Sequence, residues 1–423
     1  MMFFPLLVQA QDNQSINSIS ILFDSLKANP NTITDEIVLQ KALKGKQLAN
    51  SNLFPEIGLF GSYEHASTPV GLLPLAPNDL LKMVQDQTVP QPFSDDIYRV
   101  GATISMPVFI KSIYTTASRA KMLYQSAADK KYINLLKNEA TLVSLNANLQ
   151  YLQGLAQALD KKKQSLLTTR EIITIKVDSD RSPRSALLII DDGINQIDLM
   201  KNNIAIQQSE VRSMIQTLTG ITLNLPVSMT QVGSYQEGIL GSLDPLRKKI
   251  EADKLGLRAE KEKLLPSLLL RGNYSYSGAN AYNNDLHLNE DFTTFGLVLR
   301  VPLFTKTQYT RIDLSKLDVQ ASENELAKLE LELSSQATQL QENLNIINNN
   351  ITLYTKSIKD KEDILDIAGV SYKTDRLTIQ DYLQYEDDVV LEKSKLYKSE
   401  AERWQTLMKL AVIYGNNIEE IIK

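Results

Sequence analysis

GLVLRVPLF, Gly296–Phe304, is the second appearance of a pattern that the chain already contains as GATISMPVF, Gly101–Phe109. Gly101, Pro107 and Phe109 recur as Gly296, Pro302 and Phe304, an offset of 195 residues. Each copy alternates apolar and polar side chains and stops at Pro and Phe, as a half-buried strand stops where its hydrogen-bond ladder ends. The same offset carries Gly220 onto Gly415. Upstream, LFPEIGLFGSYEHAS (Leu53–Ser67) matches LLPSLLLRGNYSYSG (Leu264–Gly278) at an offset of 211, so the difference of 16 residues falls in the connection between two strands. Loop ends tolerate such insertions. The chain is a tandem duplication, and repeats decide the domain reading before anything else does.

Within the strands one face is apolar and the other largely polar. Ile57, Leu59, Gly61 and Tyr63 share a face, matched in the second copy by Leu268, Leu270, Gly272 and Tyr274. Val100, Ala102, Ile104 and Met106 correspond to Phe295, Leu297, Leu299 and Val301, whereas Arg99, Arg271 and Arg300 fall on the opposite faces. This alternation fits a soluble sheet lying on a core. It also fits strands of a membrane barrel, for which a length of about 10 residues and tyrosines near the hairpin ends are appropriate.

From Lys111 to Val177 there is no proline and one glycine, Gly154; from Lys306 to Gly369 there is no proline and no glycine before the last residue. Helices of this length extend about 100 Å at the standard rise. Leu326, Leu329, Leu333, Ala337, Leu340, Leu344, Ile347, Ile351, Tyr354 and Ile358 step by threes and fours, a coiled-coil seam repeated at Leu142, Leu145, Leu149, Leu152, Ala156 and Leu159. Each long helix breaks at a polar turn, Asp178–Pro183 or Thr374–Thr378, and a shorter helix returns to Gly220 or Gly415. Before the strands, Asn13–Asn29 reads as polar and weakly amphipathic, Thr34-Asp35-Glu36 opens one helix, and Asp244-Pro245 opens its counterpart.

The expected organisation is a first repeat over residues 11–230, with strands near 53–64 and 97–109 and a helical hairpin near 111–220. The second spans 231–423, with strands near 266–277 and 292–304 and a hairpin near 306–415. Residues 225–245, rich in Gly and Pro, and 416–423 are expected to form an equatorial region partway along the helices. Residues 1–10 have the short apolar run and Val8-Gln9-Ala10 end of a signal-peptide remnant, without a basic n-region.

Composition excludes several classes of function. The net charge of −5 offers no basic excess for phosphates, so nucleic acid is not an expected partner. With no cysteine there is no disulfide, thiolate metal site, Cys nucleophile or Cys-linked lipid. The two histidines, His65 and His287, have no second ligand at metal spacing, and no cofactor is implied. No run of about 18 apolar residues offers a membrane-crossing helix, so any crossing must use strands. Asp191-Asp192 and Glu386-Asp387-Asp388 do not suit an enzyme: adjacent helix residues face apart, and no nucleophile, His base or phosphate loop accompanies them. They read as solvated acids, as Lys161-Lys162-Lys163 reads as a solvated helix face.

Strand, loop, strand, long helix, polar tip and shorter return, present twice, resemble the TolC-like outer-membrane efflux proteins, the outer membrane factors of tripartite efflux and type I secretion systems. The most specific piece is Tyr372-Lys-Thr-Asp-Arg-Leu-Thr-Ile-Gln-Asp-Tyr-Leu383. It resembles the family tip Tyr-x-x-Gly-x-x-Thr-Ile-x-Asp-Val-Leu, with Asp375 at the glycine position and Leu377 where the family has arginine. The first copy, Val177–Leu188, has diverged, with Pro183 in place of the threonine.

The resemblance implies a mixed fold: a membrane β-barrel plus a long α-helical coiled-coil barrel. Each chain would give four strands to a trimeric, twelve-stranded barrel in the bacterial outer membrane, with helices projecting into the periplasm. Four strands cannot close alone, and open edges are not viable in lipid, so a spanning reading requires oligomers. The implied role is a passive export duct joined to a periplasmic adaptor (membrane fusion) protein and an inner-membrane transporter. The implied sites are a periplasmic gate at Tyr372, Arg376 and Asp381, and adaptor-docking tips at Asp180, Arg181, Ser182, Pro183, Arg184, Asp375, Leu377, Thr378, Ile379 and Gln380. Arg99, Arg271 and Arg300 would face the barrel lumen. The rival reading is a long coiled-coil scaffold or interaction protein carrying a small soluble sheet; the duplicated apolar strand faces weigh against it.

Overall fold

A computed structural model describes residues 18–374 and 376–423, except 77, 79, 80, 82–84 and 87; residues 1–10 and Asp375 lie outside the described residues. In chain order the elements are α1 (Ile19–Lys27), α2 (Pro30–Ser51), β1 (Glu56–Gly71), β2 (Phe93–Phe109), α3 (Lys111–Asp178) and α4 (Arg184–Thr219). A 3-10 turn (Gly241–Leu243) leads into α5 (Asp244–Glu262), β3 (Ser267–Asn280), β4 (His287–Arg300), α6 (Lys306–Lys373), α7 (Ile379–Tyr414) and a last 3-10 turn (Ile418–Glu420).

The duplication holds to the residue in the helices. α3 and α6 each have 68 residues, α4 and α7 each have 36, and the sequence offset of 195 maps every one of these boundaries onto its counterpart. Both return helices end at a glycine with left-handed backbone, Gly220 at φ 73° and Gly415 at φ 71°. A side chain at that position would be strained, which explains why the same glycine stands in both copies. The strands agree less closely. β2 continues to Phe109, past its last β1 partner at Ser105, because β3 still pairs with it down to Leu268, whereas β4 stops at Arg300, opposite Ser267, where β3 begins and the ladder has no further partner.

Two expectations need correction near the N-terminus. The helix before β1 starts at Pro30, not at Thr34, since proline suits a first turn. The preceding segment is not weakly amphipathic: Ser18 caps α1, and its four apolar side chains Ile19, Leu22, Phe23 and Leu26 are all buried. In nine residues these four fall on one face, at spacings of three, one and three.

The chain divides into two compact units, each drawing on both repeats. One comprises Leu39–Ala127 and Leu246–Glu325 and contains the sheet; the other comprises residues up to Val38, Ala128–Pro245 and Leu326–Lys423. The sheet is an antiparallel meander in the order β1-β2-β3-β4, leaving β1 and β4 as its two edges. In the helical unit α3 carries the core, with Leu142, Val143, Leu149 and Leu152 buried against α4, α7 and the chain end. There the expected equatorial segments meet: Gln231 bridges to Ile422, and Thr230 and Lys423 exchange backbone hydrogen bonds of 2.8 and 3.1 Å. The wholly buried Asn146 fastens this region to α3, accepting from Val227 N at 2.9 Å and donating to Val227 O at 2.7 Å. Among the described residues no helix is long and apolar enough to cross a membrane.

Candidate functional site

The register sorts the sheet into two faces. Ile57 lies opposite Ile104, Leu59 opposite Ala102, Leu270 opposite both Met106 and Leu297, and Leu268 opposite Leu299, so the apolar residues of all four strands form one surface. Leu59 is 86% exposed and Leu297 64%: among the described residues nothing covers this surface. Towards the hairpin ends it turns aromatic, with Tyr63 against Tyr98 and Tyr276 opposite Val100. Gly272 lets the rings lie close, because a Cβ there would come within 2.7 Å of both Ile104 and Phe295.

The other face is polar. Arg99 lies opposite Ser62 and Ser277, Arg271 opposite Ser105 and Gly296, and Arg300 opposite Ser267. All three arginines therefore share the face away from the leucines. Arg99 is paired with Glu64 at 3.0 Å and also donates to the carbonyl of Gly71 at 3.2 Å.

The helix tips share one design with different endings. In the first, Arg181 N donates to Lys176 O at 2.7 Å, and in the second Arg376 N donates to Ser371 O at 2.9 Å. These six-to-one bonds stand at equivalent repeat positions and close the long helices in the manner of a Schellman motif. Asp180 occupies the left-handed position at φ 57°, one that glycine favours and aspartate tolerates. Asp180, Arg181, Pro183 and Arg184 are exposed and Ser182 is half-buried.

The second tip restarts with a reciprocal cap. Thr378 Oγ1 accepts from Asp381 N at 3.2 Å and donates to the Asp381 carboxylate at 2.6 Å. Thr378, Gln380, Asp381 and Arg376 are exposed, while Leu377 and Ile379 turn in against the core. Pro183 begins α4 with no side-chain cap. Tyr372 is buried within its own chain, stacked on Tyr382 at 5.1 Å between ring centroids, with Lys176 Nζ 5.8 Å from its ring. Among the described residues of one chain, no ion pair joins Arg376 to Asp381.

Sequence reasoning misjudged the charges between the hairpins. Glu386 is not solvated but 5% exposed, accepting a hydrogen bond from Ser165. Burial pushes its carboxyl above the usual range, opposed by the Ser165 and Tyr382 hydroxyls and by Lys162. Nor is Lys161-Lys162-Lys163 a merely solvated face: Lys162 pairs with Asp387, and Lys163 holds both oxygens of Asp198 at 2.5 and 2.7 Å. One signal was available, since Glu386 shares a helical face with Tyr382 and Val389, a stripe that packs inward.

No family model matches the sequence, and no curated protein matches it. Solved structures do match by fold. The outer membrane protein VceC of Vibrio cholerae is 12% identical with a TM-score of 0.77, covering 94% of this chain and 96% of its own. The CmeC outer membrane channel of Campylobacter jejuni is 14% identical with a TM-score of 0.75, at coverages of 97% and 90%. The MtrE outer membrane channel of Neisseria gonorrhoeae, in its open state, is 15% identical with a TM-score of 0.76, at coverages of 95% and 90%. Over nearly its whole length, the chain has the fold of the TolC-like outer-membrane channels.

Proposed function

We propose that the protein is an outer-membrane channel, the passive export duct of a tripartite efflux or type I secretion pump. One observation carries this reading: a four-stranded sheet with an uncovered apolar face, a polar arginine-bearing face and two unpaired edges. Such a sheet exposed to water would be an aggregation site, whereas twelve strands from three copies would close it in lipid. The apolar surface then meets outer-membrane lipid, Arg99, Arg271 and Arg300 face the lumen, and the helices stand in the periplasm. The two repeats, 11–230 and 231–423, supply equivalent sixths of the duct around an equatorial region.

The tips are the part that meets a periplasmic adaptor, which in turn links the duct to an inner-membrane transporter. Asp180–Arg184 and the exposed residues of 375–380 form these docking ends. Threefold symmetry makes Asp381 a ring of carboxylates at the periplasmic aperture, and Tyr372 sets the hairpin that carries it. Planar-bilayer recording tests the reading. Purified protein should give discrete single-channel conductance that trivalent cations block from the periplasmic side. Asp381→Asn, which keeps a hydrogen-bonding side chain at the cap, should weaken the block and change the conductance. Absence of any conductance would overturn the channel; an unaltered block in Asp381→Asn would remove the carboxylate ring alone.

A further inference from the structure

Near the second tip, α3, α6 and α7 line a half-open cavity of about 750 Å³, which shares Tyr372 with the export reading but contains Glu386, a residue that reading does not use. This is the size of a small-molecule pocket rather than of a packing defect. Its walls are apolar at Ile172, Leu365, Val389 and Val390, and the Tyr372–Tyr382 stack forms one side. Gly369 opens the space beside Tyr382, whose ring lies 3.8 Å from where a Cβ would stand.

The chemistry of this cavity centres on Glu386. Its carboxyl group is 5% exposed; Ser165 donates to Oε1, the Tyr382 hydroxyl lies beside the group, and Oε2 is buried with no geometrically formed hydrogen bond among the described residues. A buried acceptor without a donor is costly, so the site is poised for a guest that brings N–H groups. Five lysines line the wall, Lys161 and Lys373 among them, and three are engaged: Lys162 is held by Asp387, Lys393 by Glu362 at 2.5 Å, and Lys176 lies over the Tyr372 ring. That last contact also shows a cation resting on the aromatic wall. An anionic guest would have to face the Glu386 oxygen and the Asp366 side chain, which also lines the cavity.

We propose that this cavity binds an organic ammonium ion, its N–H groups directed at Glu386 Oε2 and its hydrocarbon part lying along the tyrosine stack and the valines. The site belongs to a single chain and does not depend on conductance or on a pump partner. It gives the helical end of the protein a specific ligand site distinct from the Asp381 ring.

Phenethylammonium binding to the detergent-purified full chain, read by isothermal titration calorimetry, tests this directly, with 3-phenylpropionate as an anionic counterpart of similar size. The ammonium ion should bind and the carboxylate should not. Glu386→Gln, similar in shape but presenting an amide, should weaken ammonium binding roughly tenfold or more, the loss expected for a charge-assisted hydrogen bond. Gly369→Leu, which fills the cavity and leaves Glu386 in place, should abolish binding while circular dichroism stays unchanged. Equal ammonium affinity in Glu386→Gln, no ammonium binding to the unaltered protein, or tighter binding of the carboxylate would each overturn the proposal.

Discussion

α3 and α6 are one helix written twice, with equal lengths and aligned boundaries, yet they live in opposite surroundings. Leu136 on α3 is 1% exposed; its repeat counterpart on α6, Leu331, is 74% exposed. About six turns further along the same helices, Ala158 is buried where its counterpart Leu353 is open. α6 buries a narrow stripe that includes Ile312, Val319, Ala337, Leu340, Ile358 and Ala368, and presents Leu331, Ile346, Leu353 and Ile367 outward. A duplicated sequence thus supplies one helix with a long buried stripe, running from Leu136 to Leu166, and one with a thinner stripe and more open apolar side chains. Such open side chains form the surface that the proposed trimer would cover.

The largest expected effect breaks this comparison at its sharpest pair. Leu136→Ala should cost about 2–5 kcal/mol, the loss for truncating a closed core leucine. Leu331→Ala should leave the unassembled chain within about 0.5 kcal/mol of its starting stability, because an exposed side chain leaves no cavity. Its cost should appear instead in the oligomer, as a lower temperature for conversion of trimer to monomer on semi-native gels. Equal destabilisation of the unassembled chain by both substitutions would refute the assignment of α6 to an intermolecular face.

The same contrast explains what could be read from the sequence. Helix lengths, strand faces and αL glycines rest on local periodicity and backbone chemistry, and these are written twice in the chain. The turn at Thr374–Thr378 was legible as a polar break, but the Thr378–Asp381 cap was not, and it is absent from the first copy, where Pro183 stands. The burial of α1 escaped because its four apolar residues are too few to make a long periodic signal. Glu386 escaped because its burial depends on Ser165, more than two hundred residues away, and on a cavity formed by three helices. A strand end such as Arg300 depends on the neighbouring strand, which a single-strand pattern does not contain.

A second, smaller effect separates the repeats by charge. Glu139 on α3 is 2% exposed, while its counterpart on α6, Ser334, is exposed. Burial, with Glu419 nearby, pushes the Glu139 carboxyl from 4.5 up to about 7, and Lys27 opposes the shift. Between these two values the folded chain binds more protons than the unfolded chain. Stability should therefore fall as pH rises from about 4.5 to about 7, the reverse of a salt-bridged carboxylate. Glu139→Gln should flatten that slope and stabilise the protein at and above neutral pH by about 1–3 kcal/mol, while Ser334→Ala should leave the slope alone. Thermal melts across this pH range check it, and an unchanged slope in Glu139→Gln would show that the group is not protonated in the fold.

The smallest effect concerns the tips, where Thr378 in the second repeat stands against Pro183 in the first. Both follow the same six-to-one closure of a long helix, so the return helices start from equivalent geometry. α7 begins with a side-chain acceptor for the Asp381 amide, and α4 begins without one for the equivalent amide of Ala186, which bonds only to the Pro183 carbonyl at 3.0 Å. Thr378→Ala should therefore cost about 1 kcal/mol locally, speeding hydrogen exchange of the Asp381 amide roughly fivefold. Pro183→Ala should leave exchange at Ala186 within about twofold, because the proline side chain accepts nothing there. The pair also separates the two duties assigned to Asp381. If cation block survives Thr378→Ala while the cap is lost, the carboxylate acts as a charge at the aperture; if block falls with the cap, its role is to hold the start of α7 in place.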